Sequence, residues 1–151
     1  KAQVDVAIVS IHWGVPDFWL SPAQGVLAQY QQPLAHAMIE AGADLIYGHH
    51  SHTLHPIEVY HSKPIFYSPG NFFFEFDTPR PCMERKSFIL KAMVGDGLAI
   101  ELVPLIHGER GVPSRAFGAE AKAVQDRLVD LSTPFGTKLA VEGDRAYLKL
   151  T

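Results

Sequence analysis

An α/β fold is predicted by three features of the sequence. Two short apolar runs have the continuous pattern of buried strands, a helix-spaced segment lies between them, and paired short runs follow, separated by turn residues. The first run, Val4-Asp5-Val6-Ala7-Ile8-Val9-Ser10-Ile11, is nearly unbroken in β-branched and apolar residues, which predicts a strand buried on both faces of a sheet. It ends at His12-Trp13-Gly14. Residues 15–32 mix Pro16, Pro22 and Gly25 with Phe18, Trp19, Leu20 and Tyr30. They read as a loop with one helical turn after Ser21-Pro22, where a Ser cap is followed by Pro at the first helical position. The aromatics of this loop either line a substrate groove or fold back onto the core.

Pro33 opens a helix in which Leu34, Met38 and Ala41 recur at helical spacing and Gly42 terminates it. Residues 44–48, Asp44-Leu45-Ile46-Tyr47-Gly48, form the second buried strand. Strand, helix and strand in this order make a βαβ unit with parallel strands and a right-handed crossover, so both strands end on the same edge of the sheet. That edge is where ligands bind in open α/β sheets.

Pro56-Ile57-Glu58-Val59-Tyr60 and Pro64-Ile65-Phe66-Tyr67-Ser68 flank His61-Ser62-Lys63 and predict a hairpin. Ser68-Pro69-Gly70-Asn71 is a turn, because Pro presets one dihedral and Gly-Asn tolerates positive φ. Phe72-Phe73-Phe74 is expected to return the chain to the core, and residues 75–86, with Arg80, Arg85 and Lys86, to form a polar loop. Its basic residues either meet an anionic substrate or are solvated. Residues 87–94 and 98–104, around Gly95-Asp96-Gly97, predict a second hairpin. His107 falls in the loop after it, structural or exposed. Over residues 119–131, Ala121, Val124, Leu128 and Leu131 make the apolar stripe of an amphipathic helix that Pro134 and Gly136 end. A last small hairpin joins Leu139-Ala140-Val141 to Ala146-Tyr147-Leu148 through Glu142-Gly143-Asp144.

The 151 residues suffice for one domain with a core. A formal net charge of −3 without a basic patch argues against a nucleic-acid partner. No apolar run approaches the roughly 20 residues that span a bilayer, and nothing at the start resembles a signal peptide. The chain begins at Lys1 and enters a strand-like run almost at once, as a piece of a longer protein would. Cys82, the single cysteine, excludes an intrachain disulfide and reads as an ordinary loop thiol.

The chemistry concentrates in Gly48-His49-His50-Ser51-His52. In extended backbone His50 and His52 leave the chain on one face, while His49 points the other way and is a substrate-side or ligand-orienting candidate. Neutral imidazole ligates several divalent transition metals. Spacing alone leaves open a polar loop whose histidines only hydrogen-bond one another and the backbone. The parallel βαβ unit adds His12, at the end of the first strand, to the same edge, which favours a metal site of His12, His50 and His52.

Ile11-His12-Trp13-Gly14, the segment from Ala41-Gly42-Ala43-Asp44 through His49-His50-Ser51-His52, Ile57-Glu58-Val59-Tyr60, and Pro64-Ile65-Phe66-Tyr67-Ser68-Pro69-Gly70-Asn71-Phe72 resemble the bacterial capsule synthesis, or poly-gamma-glutamate biosynthesis, protein family. The resemblance covers most of the first half of the chain, and more loosely residues 128–137. It implies the calcineurin-like metallophosphoesterase superfamily. On that likeness residues 1–151 are the C-terminal portion of a single domain, a βαβ unit followed by hairpins and a C-terminal helix, with the N-terminal portion outside this chain. The superfamily builds a two-metal site from an early Asp-x-His, a Gly-Asp pair, an Asn-His pair, a later His and a final His-x-His. His12 matches the later His, and His50 and His52 match the final pair. His49 stands where the superfamily usually has Gly, and a His-His-x-His run is the form expected of the capsule family. No early Asp-x-His, Gly-Asp or Asn-His pair stands ahead of these histidines in this chain. Either an N-terminal portion of the same protein completes the site or this chain cannot bind two metals, and the family's usual length favours the first.

The resemblance implies a metal-dependent hydrolase of phosphoesterase type, with two divalent cations (Mn, Fe or Zn) held in part by His12, His50 and His52. Such a cation pair, about 3.5 to 4 Å apart, activates a water and clamps phosphoryl oxygens. His49 would orient a ligand or give a proton to the leaving group. The implied partners are an anionic polymer or phosphoester substrate and a membrane-associated synthesis complex at the cell envelope. The alternative is a non-hydrolytic polymer-binding or assembly component of that complex.

Overall fold

A computed structural model describes residues 4–14, 25–74, 85–95 and 97–150. The Ser21-Pro22 turn, Phe18, Trp19, Leu20, Arg80, Cys82 and Asp96 lie outside the described residues. The fold is α/β. The elements in order are β1 (Ile8–His12), α1 (Gln31–Glu40), β2 (Leu45–His49), β3 (Ile57–Tyr60), β4 (Lys63–Phe66), β5 (Lys86–Val94), β6 (Leu98–His107), β7 (Pro113–Arg115), α2 (Gly118–Ser132), β8 (Leu139–Glu142) and β9 (Arg145–Leu148).

The first sheet has the order β1-β2-β4-β3. β1, β2 and β4 run parallel, and β3 pairs antiparallel with β4. The β3–β4 turn is the two residues His61 and Ser62, both at positive φ (48° and 59°), as a tight hairpin with right-handed strand twist requires. Asp44 locks the start of the β1–β2 pair: its Oδ2 accepts the Ala7 N–H at 2.9 Å, its own N–H donates to Ala7 O at 2.8 Å, and Lys63 Nζ donates to Oδ1 at 2.8 Å. The second sheet has the order β5-β6-β9-β8, with β7 also on β6.

Alternation along β2 and β4 separates two apolar clusters on opposite faces of the first sheet. Ile46 and Ile65 join Trp13, Ala35, Ile39, Ala43 and Tyr67 under α1. Leu45 and Phe66 face Phe88, Ile100 and Leu102 of the second sheet and Val124 and Leu128 of α2. Both the two hairpins after β2 and the closing β8–β9 hairpin form where the turn residues predict them.

Four expectations are corrected. Among the described residues β1 is an edge strand rather than one buried on both faces; Ile8 is 56% exposed, although its composition suits a central position. α1 starts two residues before Pro33, and its buried face is Gln31, Ala35 and Ile39 rather than Leu34, Met38 and Ala41. The frame is set by Gln31, whose Oε1 accepts the Ala28 N–H at 2.7 Å, and by Ala35, small enough to bring the helix close to the sheet. Phe72 and Phe73 are 63% and 57% exposed instead of returning to the core. After β4 an isolated Leu54–Pro69 bridge and Gly70 at φ 80° carry the chain across the strand ends toward His52. His107 ends β6 instead of lying in the loop after it, and the structural of its two readings holds: it is buried, its Nδ1 and Nε2 each 3.0 Å from a carbonyl oxygen, of Arg85 and Phe72 respectively.

Candidate metal centre

β1, β2 and β4 deliver three C-terminal ends to one edge of the first sheet. His12 and His49 are register partners in the parallel β1–β2 pair, so both rings rise on the same face, with centroids 5.2 Å apart. This is the face of Tyr47, and His49 lines a cavity of about 710 Å³ with Ile8, Tyr47, Phe72, Phe88 and Ile89. β2 stops at His49, and the extended alternation stops with it. His50 takes φ 112° and His52 φ 60°, conformations that cost a residue with a Cβ of the order of 1 kcal/mol or more each. The turn at His50 brings its ring to 4.3 Å from that of His12, edge to face. His52 lies farther out, 6.2 Å from His50.

The centre of the cluster is therefore His12, flanked by His49 and His50. The structure brings together the four residues that the sequence predicts, with His49 beside its register partner His12. Asn71, a turn former in the family-like segment after β4, joins the cluster as well. Its Oδ1 stands 2.7 Å from His52 Nδ1, which orients the ring from its δ side, and Phe74 packs edge-on against the same ring at 4.6 Å. Gly-Asn after the β4 strand was the available signal.

Beneath the cluster, Trp13 fixes the β1 terminus. Its N–H donates to His49 O at 3.2 Å, its Nε1–H donates to Tyr67 O at 2.9 Å, and its ring stacks on Tyr67 at 5.4 Å. Gly48 leaves room for this: a Cβ there would lie 2.2 Å from Trp13 Nε1 and 2.5 Å from Tyr67 O.

Burial, then the charge of His12, lowers the basicity of His49. Burial, then His12, His52 and His49, does the same to His50. Both shifts favour the neutral form, the one that ligates metals. The donors fit a divalent cation in kind and fall short in number: among the described residues no three His, Cys, Asp or Glu side chains stand as a group that would hold an ion by themselves. Of the basic residues predicted near a substrate, Arg85 is engaged by its Nε with His107 O at 2.6 Å, and Lys86 belongs to β5. In the first loop, the Tyr30 hydroxyl accepts the Gly14 N–H at 2.6 Å.

The fold and the cluster define an α/β chain with a histidine-rich edge at the ends of parallel strands. Residues 1–76, which contain the whole cluster, match the family described as bacterial capsule synthesis protein PGA_cap, and the chain belongs to that family. It is 47% identical over 75 residues to the PGA biosynthesis protein CapA of Bacillus subtilis, covering 50% of this chain and 18% of that protein. It is 34% identical over 152 residues to the capsule biosynthesis protein CapA of Bacillus anthracis, covering 99% of this chain and 34% of that protein. A probable polyglutamine synthesis accessory protein of Mycobacterium tuberculosis is 44% identical over 71 residues, 47% of this chain and 17% of the relative. The chain thus spans about a third of the length of that Bacillus anthracis protein.

Proposed function

We propose that this chain supplies the histidine half of a divalent-metal site in a metal-dependent hydrolase of phosphoesterase type that serves capsule or poly-gamma-glutamate synthesis. The observation that carries the reading is the convergence of His12, His49 and His50 at the ends of parallel strands, with His52 oriented by Asn71. His12, His50 and His52 would hold the metal, and the remaining ligands, in a calcineurin-like arrangement, would come from a preceding portion of the same protein. The outer edge of β1 supports that, since a strand of this composition with one edge open among the described residues is a template for another strand. A bound divalent cation acidifies a coordinated water and polarises a phosphoryl oxygen. The chain's own part is to present neutral imidazoles, to fix their orientation from outside, and to border the reaction space with the apolar wall beside His49. The depressed basicity of His49 suits orienting a ligand better than donating a proton.

In the full-length protein, His12→Ala and His52→Ala are each expected to lower divalent-metal content, measured by elemental analysis, at least tenfold at limiting metal, and to remove chelator-sensitive hydrolysis of a generic phosphodiester. Unchanged metal content in both variants would overturn the assignment. The second reading, a polymer-binding or assembly role without turnover, is favoured by the names of the relatives, which describe biosynthesis and a synthesis accessory rather than hydrolysis. Metal-dependent binding of an anionic polymer with no phosphodiester turnover would select it.

A further inference from the structure

Glu58, on β3, is a carboxylate only 6% exposed that takes no part in the site so far described. Its Oε2 accepts the Tyr67 hydroxyl at 2.6 Å. Its Oε1 accepts Gln32 Nε2 at 3.2 Å and stands 2.8 Å from His36 Nε2, so α1 closes over it with two polar side chains. A buried carboxylate with three partners is a fixed anchor, because breaking any of its bonds leaves charge poorly solvated.

What it anchors is Tyr67. This residue is fully buried, and burial, then the bond to Glu58, keeps its phenol protonated well above the ordinary range. Tyr67 serves both arms of the histidine cluster. Its ring and its carbonyl oxygen hold Trp13, the residue after His12, which in turn holds the end of β2 through His49 O. Its main chain leads directly through Ser68, Pro69 and Gly70 to Asn71, the partner of His52. A shift of the Tyr67 ring would move His12 through Trp13 and His52 through Asn71.

We propose that Glu58 is a positioning residue for the histidine cluster, acting through Tyr67 and Trp13 to set where the imidazoles stand and so how tightly they bind a divalent cation. Its effect on the cation rests on the metal-site reading above. Partners that orient metal ligands from outside commonly change affinity about 10- to 100-fold when removed.

The test uses the full-length protein and Co²⁺ as the probe. Glu58→Ala and Tyr67→Phe each cut the same bond, so each is expected to weaken Co²⁺ binding about tenfold, and the double variant to weaken it no further. Glu58→Gln keeps an oxygen acceptor for the Tyr67 hydroxyl and is expected to stay within about threefold of wild type. Leu128→Ala, in the apolar cluster on the opposite face of the sheet, controls for general loss of stability and is expected to leave affinity unchanged. Wild-type affinity in Glu58→Ala, or equal weakening in Leu128→Ala, would overturn the proposal. If the wild-type protein takes up no Co²⁺, the metal-site reading fails, and the Trp13 indole ¹H–¹⁵N resonance decides the positioning role by itself. A displaced resonance in Glu58→Ala sustains that role, and an unmoved one overturns it.

Discussion

Gly48→Ala is expected to destabilise the protein by about 1 to 5 kcal/mol. Overfilling a packed interior costs about 1–3 kcal/mol, and loss of a buried hydrogen bond about 1–3 more. Both apply here, because the added methyl would meet the Trp13 indole nitrogen and the Tyr67 carbonyl oxygen at the very bond that joins them. Neither neighbour is the loose end of a flexible side chain. The indole is stacked on Tyr67 and 3% exposed, and the oxygen is backbone. The lower backbone entropy of Ala in the unfolded chain would return only about 0.5–1 kcal/mol. Against a typical total of about 5–15 kcal/mol, the variant should unfold at a much lower urea concentration or fail to accumulate. Gly97→Ala is the control, since a Cβ there meets nothing within 4 Å, and it should change stability by less than about 0.5 kcal/mol. Equal urea midpoints for the two variants would show that Trp13 does not approach Gly48 as described. The same substitution tests the site, because Trp13 cannot leave Tyr67 without moving His12.

Both helices and every strand but β7 (Pro113–Arg115) are legible in the sequence because each announces itself locally. β2, the β3–β4 and β5–β6 hairpins and the stripe of α2 need only apolar periodicity and turn residues to be found. What local pattern does not carry is the neighbour in space. The composition of β1 describes a central strand, and only the sheet order shows it at an edge. Phe72-Phe73-Phe74 has core composition, but the Leu54–Pro69 bridge sends it over the strand ends.

The histidines divide in the same way. Placing His12 and His49 on one edge follows from the parallel βαβ unit, whereas the φ values of His50 and His52 belong to a region that non-glycine residues seldom occupy. Alternation therefore holds as far as His49 and does not carry past it. Asn71 and Glu58 looked like an ordinary turn residue and an ordinary strand residue, because their partners are 19 and 9 to 26 positions away in sequence.

Acid should weaken the fold through a histidine outside the cluster. His55 is fully buried, and burial, followed by the nearby charge of Arg127, lowers its pKa from 6.5 to about 4. The folded protein thus holds His55 neutral where the unfolded chain would bind a proton. Between pH 6.5 and about 4 the unfolded state carries more protons at this position, so stability rises with pH across that window and is level above it. The stabilisation present at pH 7 should be lost progressively as pH falls toward 4, by about 3 kcal/mol from this group alone. His49 and His50 are lowered in the same direction and steepen the same limb. Urea unfolding of wild type and His55→Gln at pH 7.0, 5.5 and 4.0 isolates the His55 share. The wild type should lose about 3 kcal/mol more than the variant over that range, so their stabilities converge in acid. Parallel loss in the two proteins would show that His55 is not held neutral by burial. Where His55→Gln is too unstable for comparison at pH 7, NMR titration of the His55 ring in the wild type gives the same answer. Its resonance should stay at the neutral position until the pH is well below 5.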